Sequence, residues 1–459
     1  MRQSKFVKIY KVEDDYAYYH SLRMKPVYLR KSEHEKLQGM LEGSTECELS
    51  KELIDSLWKY KIIVNNEDED EKLLKAVKKF LPKPYISLAY FVLSEQCNLA
   101  CKYCFLGNGK VNVNSKVTNY PMSKEIADKA IKFFITQIQM NKDYFDNDKE
   151  IIFYGGEPLI NFETLKYVIE RCKKYQIKGV LTQNLKFSMV TNGLLLDESK
   201  IDFLMKNDVN VSISIDGVDE YANYGRINKN GKNVFSQLIG TLDLVKNKKM
   251  PIGLSITLTE HTLRDVNAIF KLLEKYSINQ ISFNILYDTE EFKVNNDYYN
   301  NATDFIIEFY KKAREMGIYE DRIMRKLKAF TDSELYLSDC AATSGSQIVI
   351  TPDGAVGVCH GCMENRDYFI TDVHQINVNL SIDKVFNEWS QLSPINNQEC
   401  ISCEALGICG GGCPINAMKT AKVKSIHLVD RKFCIHSKKI LEFMINDLYR
   451  ILISENSMI

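Results

Sequence analysis

With 459 residues, 45% hydrophobic and 26% charged, the chain is long enough for two or three domains built on sizeable cores. Lys and Arg (60) balance Asp and Glu (60), which excludes a chain-wide field for nucleic acid or an anionic membrane. The opening MRQSKFVKIYKVEDDY lacks an apolar export segment, and no run of about 18 apolar residues occurs. The expected setting is therefore cytoplasmic, with neither membrane nor nucleic acid as partner.

Residues 1–85 read as a first unit. Extended stretches at Phe6–Tyr10 and Tyr16–Leu29 precede helical patterns at Ser32–Leu41 and Leu49–Lys59. A short β-rich run, Ile62–Val64, is followed by the acidic stretch Asn65–Glu71, read as a solvated turn, and an amphipathic Lys72–Phe80. This order predicts a small winged-helix-like module.

From 86 to 324 strands and helices alternate. Strands are predicted at Ile86–Leu93, Glu150–Tyr154, Lys186–Val190, Asn210–Ile215, Ile252–Leu258 and Gln280–Leu286. Helices fall at Lys124–Ile138, Phe162–Tyr175, Val234–Lys246 and Leu263–Tyr276. Six βα repeats make the fold class α/β, a parallel sheet curved as a partial (β/α)6 barrel with its site at the C-terminal strand ends. From 325 to 459 the chain is turn-rich, dense in Cys and Gly, and without a long apolar pattern until a helix near Lys438–Ile453. Such a region is expected to be held by metal rather than by a core.

The 13 cysteines are unevenly placed. Cys97, Cys101 and Cys104 follow the first barrel strand in a C-x3-C-x2-C loop, and eight more lie between Cys340 and Cys434. Cys47 and Cys172 stand in helical patterns and read as buried apolar thiols. A reduced compartment makes clustered thiols metal ligands rather than disulfides. Three thiolates leave one iron of a [4Fe–4S] cluster uncovered, and an incomplete zinc site is the alternative. The seven histidines form no ligand pattern.

In its strand context this triad resembles the radical S-adenosylmethionine (SAM) superfamily. The resemblance implies that the open iron takes the amino and carboxylate groups of SAM, whose reductive cleavage releases a 5′-deoxyadenosyl radical. Tyr103 and Phe105, beside the last cysteine, are counted with the cofactor-binding residues. Gly155-Gly156-Glu157-Pro158 after strand two resembles the family motif that meets the SAM amino group. Glycines let a backbone approach closely, and Glu157 supplies an acceptor for an ammonium. Thr191 and Asn192 after strand three are placed near the ribose or adenine, and Ser214 and Asp216 after strand four at the cofactor rim. Arg226 resembles the family arginine that pairs with the SAM carboxylate, a bidentate task suited to a guanidinium. Ser255, Thr257 and Asn284 are expected to line the cavity. No catalytic acid or base is assigned.

Farther on, the spacing is Cys340-x13-Gly354-x4-Cys359, then Cys400-x2-Cys403-x5-Cys409-x3-Cys413, then Cys434. This resembles the SPASM domain, the seven-cysteine module of many radical SAM maturases. TPDGAVGVCHGC looks like its opening β-hairpin, with Asp353-Gly354 at the turn. The family topology assigns Cys400, Cys403, Cys409 and Cys434 to an outer cluster, and Cys340, Cys359 and Cys413 to an inner one. Cys362 is the proposed fourth inner ligand; otherwise that iron is open to a substrate thiolate. A doublet zinc ribbon is the alternative for the whole array. SAM and three [4Fe–4S] clusters are the implied cofactors.

A winged-helix-like module ahead of such a domain resembles the leader-recognition element of peptide maturases, in which a leader adds as a strand to a sheet edge. The implied function is oxidative cross-linking of a ribosomally made precursor peptide, best guessed as a thioether of the sactipeptide or ranthipeptide kind. The implied partners are that precursor, bound through its leader at residues 1–85, and an external one-electron reductant of flavodoxin or ferredoxin type. An anaerobic sulfatase maturase, which makes formylglycine, and a carbon–carbon or ether peptide cyclase are the alternatives. From another class, an iron–sulfur sensor binding DNA would leave the SAM-site motifs unexplained and lacks a basic recognition helix.

Overall fold

The computed structural model describes residues 1–44, 48–104, 106, 116–287 and 292–456. Contacts divide the chain into two bodies. One comprises residues 1–82, 323–340 and 391–459; the other comprises 83–322 and 341–390. The sequence divides the chain by motif at 85/86 and 324/325, whereas contacts split its last part between the two bodies.

In the first body β1 (Arg2–Gln3) pairs with β5 (Ile63–Val64), while β2 (Val7–Val12), β3 (Asp15–His20) and β4 (Pro26–Leu29) form an antiparallel sheet in that order. The single extended stretch expected at Tyr16–Leu29 is thus two strands. The chain reverses because His20 Nδ1 accepts from the backbone N–H groups of Leu22 and Arg23, and Met24 takes a left-handed φ of 54°. Helices α1 (Lys31–Leu41) and α2 (Lys51–Lys59) pack their apolar faces on this sheet through Leu37, Leu57, Tyr18, Val27 and Leu29. Ser50 caps α2 by accepting from Leu53 N–H at 3.2 Å.

The acidic run is not a solvated turn. Glu67, Asp68, Glu69 and Asp70 form the first turn of α3 (Glu67–Lys78), where carboxylates oppose the positive end of the helix dipole. Asp70 is only 1% exposed and accepts from Ser4 Oγ at 2.6 Å and Lys5 N–H at 3.0 Å. Phe6, Leu22, Leu74 and Val77 share a core with Ile395 and Leu406. An apolar core therefore helps hold residues 391–459, contrary to the expectation of metal alone.

Among the described residues the second body holds a ten-stranded sheet. Its parallel strands are β6 (Leu88–Ser94), β7 (Lys149–Gly155), β8 (Leu185–Thr191), β9 (Val209–Ile215), β10 (Ile252–Leu258) and β11 (Gln280–Ile285), adjacent in sequence order. Helices α4 (Lys124–Gln139), α5 (Phe162–Ile177), α6 (Glu198–Lys206), α7 (Phe235–Asn247) and α8 (Val266–Tyr276) connect them, each strand–helix–strand unit a parallel crossover. After α9 (Tyr298–Ala313), the short β12 (Tyr319–Glu320) extends the sheet beyond β11, and α10 (Asp321–Asp332) leads out. On the other side β13 (Gln347–Ile350) pairs parallel with β6, and β14 (Ala355–Gly357) and β15 (Phe369–Asp372) follow antiparallel. The predicted hairpin is β13–β14, its turn closed by Gly354 at φ 87°. Helix α11 (Lys384–Ser390) completes this body; α12 (Leu406–Cys409), α13 (Pro414–Ala421) and α14 (Arg431–Asn456) belong to the first.

Strands β7, β8 and β9 alternate buried and less buried residues. Consequently Ser214, Ser255 and Ser282 stand in register across β9, β10 and β11, with Thr257 beside Asn284 on the same half-buried face. Asn284 Nδ2 donates to Ser255 Oγ at 2.8 Å.

Candidate active site

The loop carrying Cys97, Cys101 and Cys104 leaves β6 and is clipped to the segment after β9. Ala100 N–H donates to the Ile227 carbonyl at 2.8 Å and Lys102 N–H to that of Gly225 at 2.9 Å. None of the three cysteines is in a disulfide, and all are partly exposed. Burial, then the neighbouring Glu157 and Cys104, push the Cys97 thiol up to about 11. Burial, then Asp216, Cys104 and Cys97, push Cys101 up to about 12, with Arg226 opposing. The three thiols thus share one site, and ionising them together calls for a bound cation.

The GGEP turn is stitched to this loop. Gly156 N–H donates to the Ser94 carbonyl at 2.9 Å, and Glu157 N–H to that of Gln96 at 3.0 Å. A Cβ on Gly155 would stand 2.0 Å from Ser94 O, and one on Gly156 would stand 2.4 Å from Gln96 O. These glycines admit the backbone that leads into the triad. Glu157, 0% exposed, accepts from Leu159 N–H (3.0 Å) and Thr191 Oγ1 (2.7 Å) on one oxygen and from Asn192 N–H (2.8 Å) on the other. Pro158 opens a single 3-10 turn, Pro158–Asn161. Asn192 Nδ2 donates to Asn98 Oδ1 at 2.7 Å and lies 3.7 Å from Cys97 Sγ. The strand-two and strand-three motifs are therefore bonded to each other and to the cysteine loop.

Asp216 is fully buried. It pairs with Arg226 (Oδ1 to Nη2, 2.7 Å) and accepts from the Tyr103 hydroxyl on Oδ2. Half of the arginine fork is thus taken by this chain's own carboxylate. Among the described residues Arg226 Nε is buried with no hydrogen-bond partner, a donor suited to an anionic group. The Tyr103 ring packs against Gly225, where a Cβ would come within 2.7 Å, and edge-on to Phe292 at 5.6 Å. Phe105 lies outside the described residues. Asn98 and Asn223, whose Oδ1 accepts from Asp216 N–H at 2.9 Å, escaped the sequence reading. Asn98, directly after Cys97, was the more discoverable of the two.

In the first body a second set of thiols gathers. Burial, then Cys409 and Cys403, push Cys400 up to about 11; burial, then Cys409, Cys400 and Cys403, push Cys434 up to about 12. Tight turns from Cys400 to Leu406 bring the first two together. Gly410, Gly411 and Gly412, all with left-handed φ, carry the chain from Cys409 to Cys413. Asp430 accepts from Phe433 N–H at the start of α14, and also from Cys413 N–H and Asn416 Nδ2. Cys434 falls in the first turn of that helix. Cys340 and Cys413 belong to the first body, Cys359 and Cys362 to the second. The latter two are buried on one turn, Cys362 N–H donating to the Cys359 carbonyl at 3.1 Å. Among the described residues no three His, Cys, Asp or Glu side chains close up as ligands of a single ion. Clustered thiolates suit a soft metal, and a [4Fe–4S] cube takes four of them. Cys172 is fully buried, its thiol raised by burial alone, and Cys47 lies outside the described residues. No helix among the described residues is long and apolar enough to cross a membrane.

Residues 91–273 match the Radical SAM superfamily. A cysteine-type anaerobic sulfatase-maturating enzyme of Clostridium perfringens is 27% identical over 351 residues, 72% of this chain and 89% of that enzyme. The radical SAM cyclopropyl synthase TigE of Paramaledivibacter caminithermalis is 25% identical over 408 residues, 85% of this chain and 79% of that protein. The crystal structure of Streptococcus suis SuiB bound to precursor peptide SuiA superposes with a TM-score of 0.54 at 14% identity, covering 94% of this chain and 99% of that one. A parallel βα sheet, a three-cysteine loop leaving its first strand and a superfamily match spanning the same strands lead to one conclusion: the chain carries a radical SAM domain and is a radical SAM enzyme.

Proposed function

We propose that this enzyme oxidatively modifies a ribosomally made precursor peptide, forming a thioether between a cysteine sulfur and a carbon of another residue. The observation that carries the reading is the module ahead of the radical SAM domain. Its three-stranded sheet ends in β4, which among the described residues pairs only with β3. A leader peptide would add there as a fourth strand, its backbone bonds giving affinity and its alternate side chains specificity. Relatives named for a cyclopropyl synthase and a structure holding a precursor peptide support a peptide substrate.

In this reading Cys97, Cys101 and Cys104 hold the cluster that binds SAM. Gly155–Pro158, Thr191, Asn192, Ser214, Asp216, Arg226 and Tyr103, with Phe105, surround the cofactor. Cys400, Cys403, Cys409 and Cys434 hold the outer auxiliary cluster. Cys359 and Cys362, on one turn of the second body, are counted with the inner one. When bound, these groups supply a 5′-deoxyadenosyl radical for hydrogen abstraction and a route out for the remaining electron. This chain's own contribution is orientation. Glu157 locks the strand-two and strand-three turns, Asp216 holds Arg226 and Tyr103, and the polar face of β9–β11 receives the substrate. A flavodoxin- or ferredoxin-like protein delivers the starting electron.

A second reading, sulfatase maturation, is favoured by the extent of the match to the Clostridium perfringens enzyme. Anaerobic co-expression with any short cysteine-containing reading frame found beside the gene, and with a sulfatase, followed by mass spectrometry, separates the two. Loss of two hydrogens per event together with loss of thiol alkylation is the expected result. The same mass loss with every thiol still alkylatable indicates carbon–carbon or ether bonds. An unmodified precursor alongside a modified sulfatase peptide overturns the peptide-maturase reading.

A further inference from the structure

Two residues before the triad, Glu95 carries a carboxylate whose side chain is 2% exposed; four residues after Cys362, the Arg366 side chain is 7% exposed. They meet as a two-pronged ion pair, Nη1 to Oε1 at 2.6 Å and Nη2 to Oε2 at 2.9 Å. Each partner is anchored further. Glu95 Oε2 accepts from Thr118 N–H at 2.7 Å and Thr118 Oγ1 at 2.8 Å. Arg366 Nη1 donates to the carbonyl of Met363, the residue after Cys362, and Nη2 stands 3.5 Å from Asp353 in the β13–β14 turn. The guanidinium lies 5.3 Å over the Phe369 ring. Arg366 itself has a left-handed φ of 58°, a conformation disfavoured for a residue with a Cβ and held here by these bonds. Close by, Lys116 N–H donates to the Glu364 carbonyl at 2.8 Å.

A buried ion pair is a poor source of stability, because withdrawing both charges from water offsets most of their attraction. Its distinct property is direction. A bidentate fork fixes distance and orientation together. Here it joins a segment carrying three metal-binding thiols to one carrying two more, and both lie in the same body of the protein.

We infer that the Glu95–Arg366 pair is a positioning device that sets the spacing between the Cys97–Cys104 loop and the Cys359–Cys362 turn, and so between the metal groups those cysteines hold. The inference rests on the reading of both sets as cluster ligands. Neither residue is a catalytic one; each acts through the segment it holds.

Hydrogen exchange and electron paramagnetic resonance on the reconstituted full-length protein provide the test. Glu95→Gln keeps the shape of the side chain but removes its charge, and Arg366→Lys keeps the charge but loses the fork. The expected result for Glu95→Gln is unchanged iron content, amide exchange about tenfold faster in both 95–104 and 359–366, and a weaker magnetic interaction between the reduced clusters. Arg366→Lys is expected to fall between it and the parent, and it supplies the measurement if Glu95→Gln fails to fold. Faster exchange in only one segment, or exchange and magnetic interaction both unchanged, overturns the inference. Failure of the underlying reading looks different: iron content would then be the same with and without the substitutions Cys359→Ser and Cys362→Ser. The exchange measurement in that case still decides whether the pair couples the two segments.

Discussion

The backbone N–H of Asn192 donates to the Glu157 carboxylate at 2.8 Å, so the turns that follow β7 and β8 share one buried acid. Thr191 Oγ1 and Leu159 N–H hold the same group, and Asn192 reaches on to Asn98 beside Cys97. One side chain thus keeps three motif segments in a single arrangement.

That acid gives the metal-free protein a pH signature. Burial pushes the Glu157 carboxyl up to about 7, with its three hydrogen bonds opposing. The folded state therefore holds this proton more tightly than the unfolded chain does. Its contribution to stability is complete below the unfolded pKa of about 4.5 and is lost as pH rises through about 7, roughly 3 kcal/mol over the window. Urea denaturation at pH 5 and pH 8 should show this fall, and Glu157→Gln should flatten it. Equal pH slopes in parent and variant would remove Glu157 as its source.

Gly156→Ala should disable the cysteine loop while sparing the sheet. Its Cβ would stand 2.4 Å from Gln96 O and 2.9 Å from Cys97 N, both backbone atoms that cannot swing aside. Overpacking of this kind costs about 1–3 kcal/mol, and the expected relief is displacement of the loop. Iron bound at the triad and SAM cleavage should fall together, with circular dichroism nearly unchanged. Normal iron loading would contradict the tight fit.

Asp216→Asn separates stability from cofactor binding. It leaves the Arg226 guanidinium, 5% exposed, without its carboxylate, which should cost about 3–5 kcal/mol in chemical denaturation. Arg226→Lys keeps a charge but not the planar fork, and should weaken SAM binding about tenfold in equilibrium dialysis. Unaltered SAM affinity in Arg226→Lys would assign that arginine a purely structural role.

Cys434→Ser should uncouple radical generation from product formation. It removes one of four mutually close thiols in the first body, while the triad stands in the second. Less iron per chain, continued release of 5′-deoxyadenosine and loss of modified peptide are expected. If peptide modification persists at the parent rate, the Cys400–Cys434 group has no part in turnover.

Local pattern made much of this legible. Ile252–Leu258 matches its predicted strand, and the other five barrel strands shift by only one or two residues at an end, because alternation and flanking turns are properties of short windows. The cysteine loop stood out by its spacing, and the GGEP turn only by its resemblance to the family motif. What escaped depends on partners distant in sequence. Nothing near Asp70 announces that Ser4 will bury it, so an acidic helix start reads as a solvated turn. Nothing near Glu95 announces Arg366, or near Asp216 the Tyr103 hydroxyl. The division of the C-terminal cysteine region between two bodies likewise follows from β13 pairing with β6, a contact without periodic trace.

That pairing has a consequence for biosynthesis. Leu88 aligns with Gln347, which leaves the ribosome roughly 260 residues later, a delay of about 10–50 s at ~5–20 residues per second. Until then β6, rich in Tyr, Phe, Val and Leu, presents an unpaired edge that other nascent chains can template on. Chaperone demand should therefore peak before β13 emerges. Truncation before residue 347 should yield an aggregating fragment rather than a minimal catalytic core.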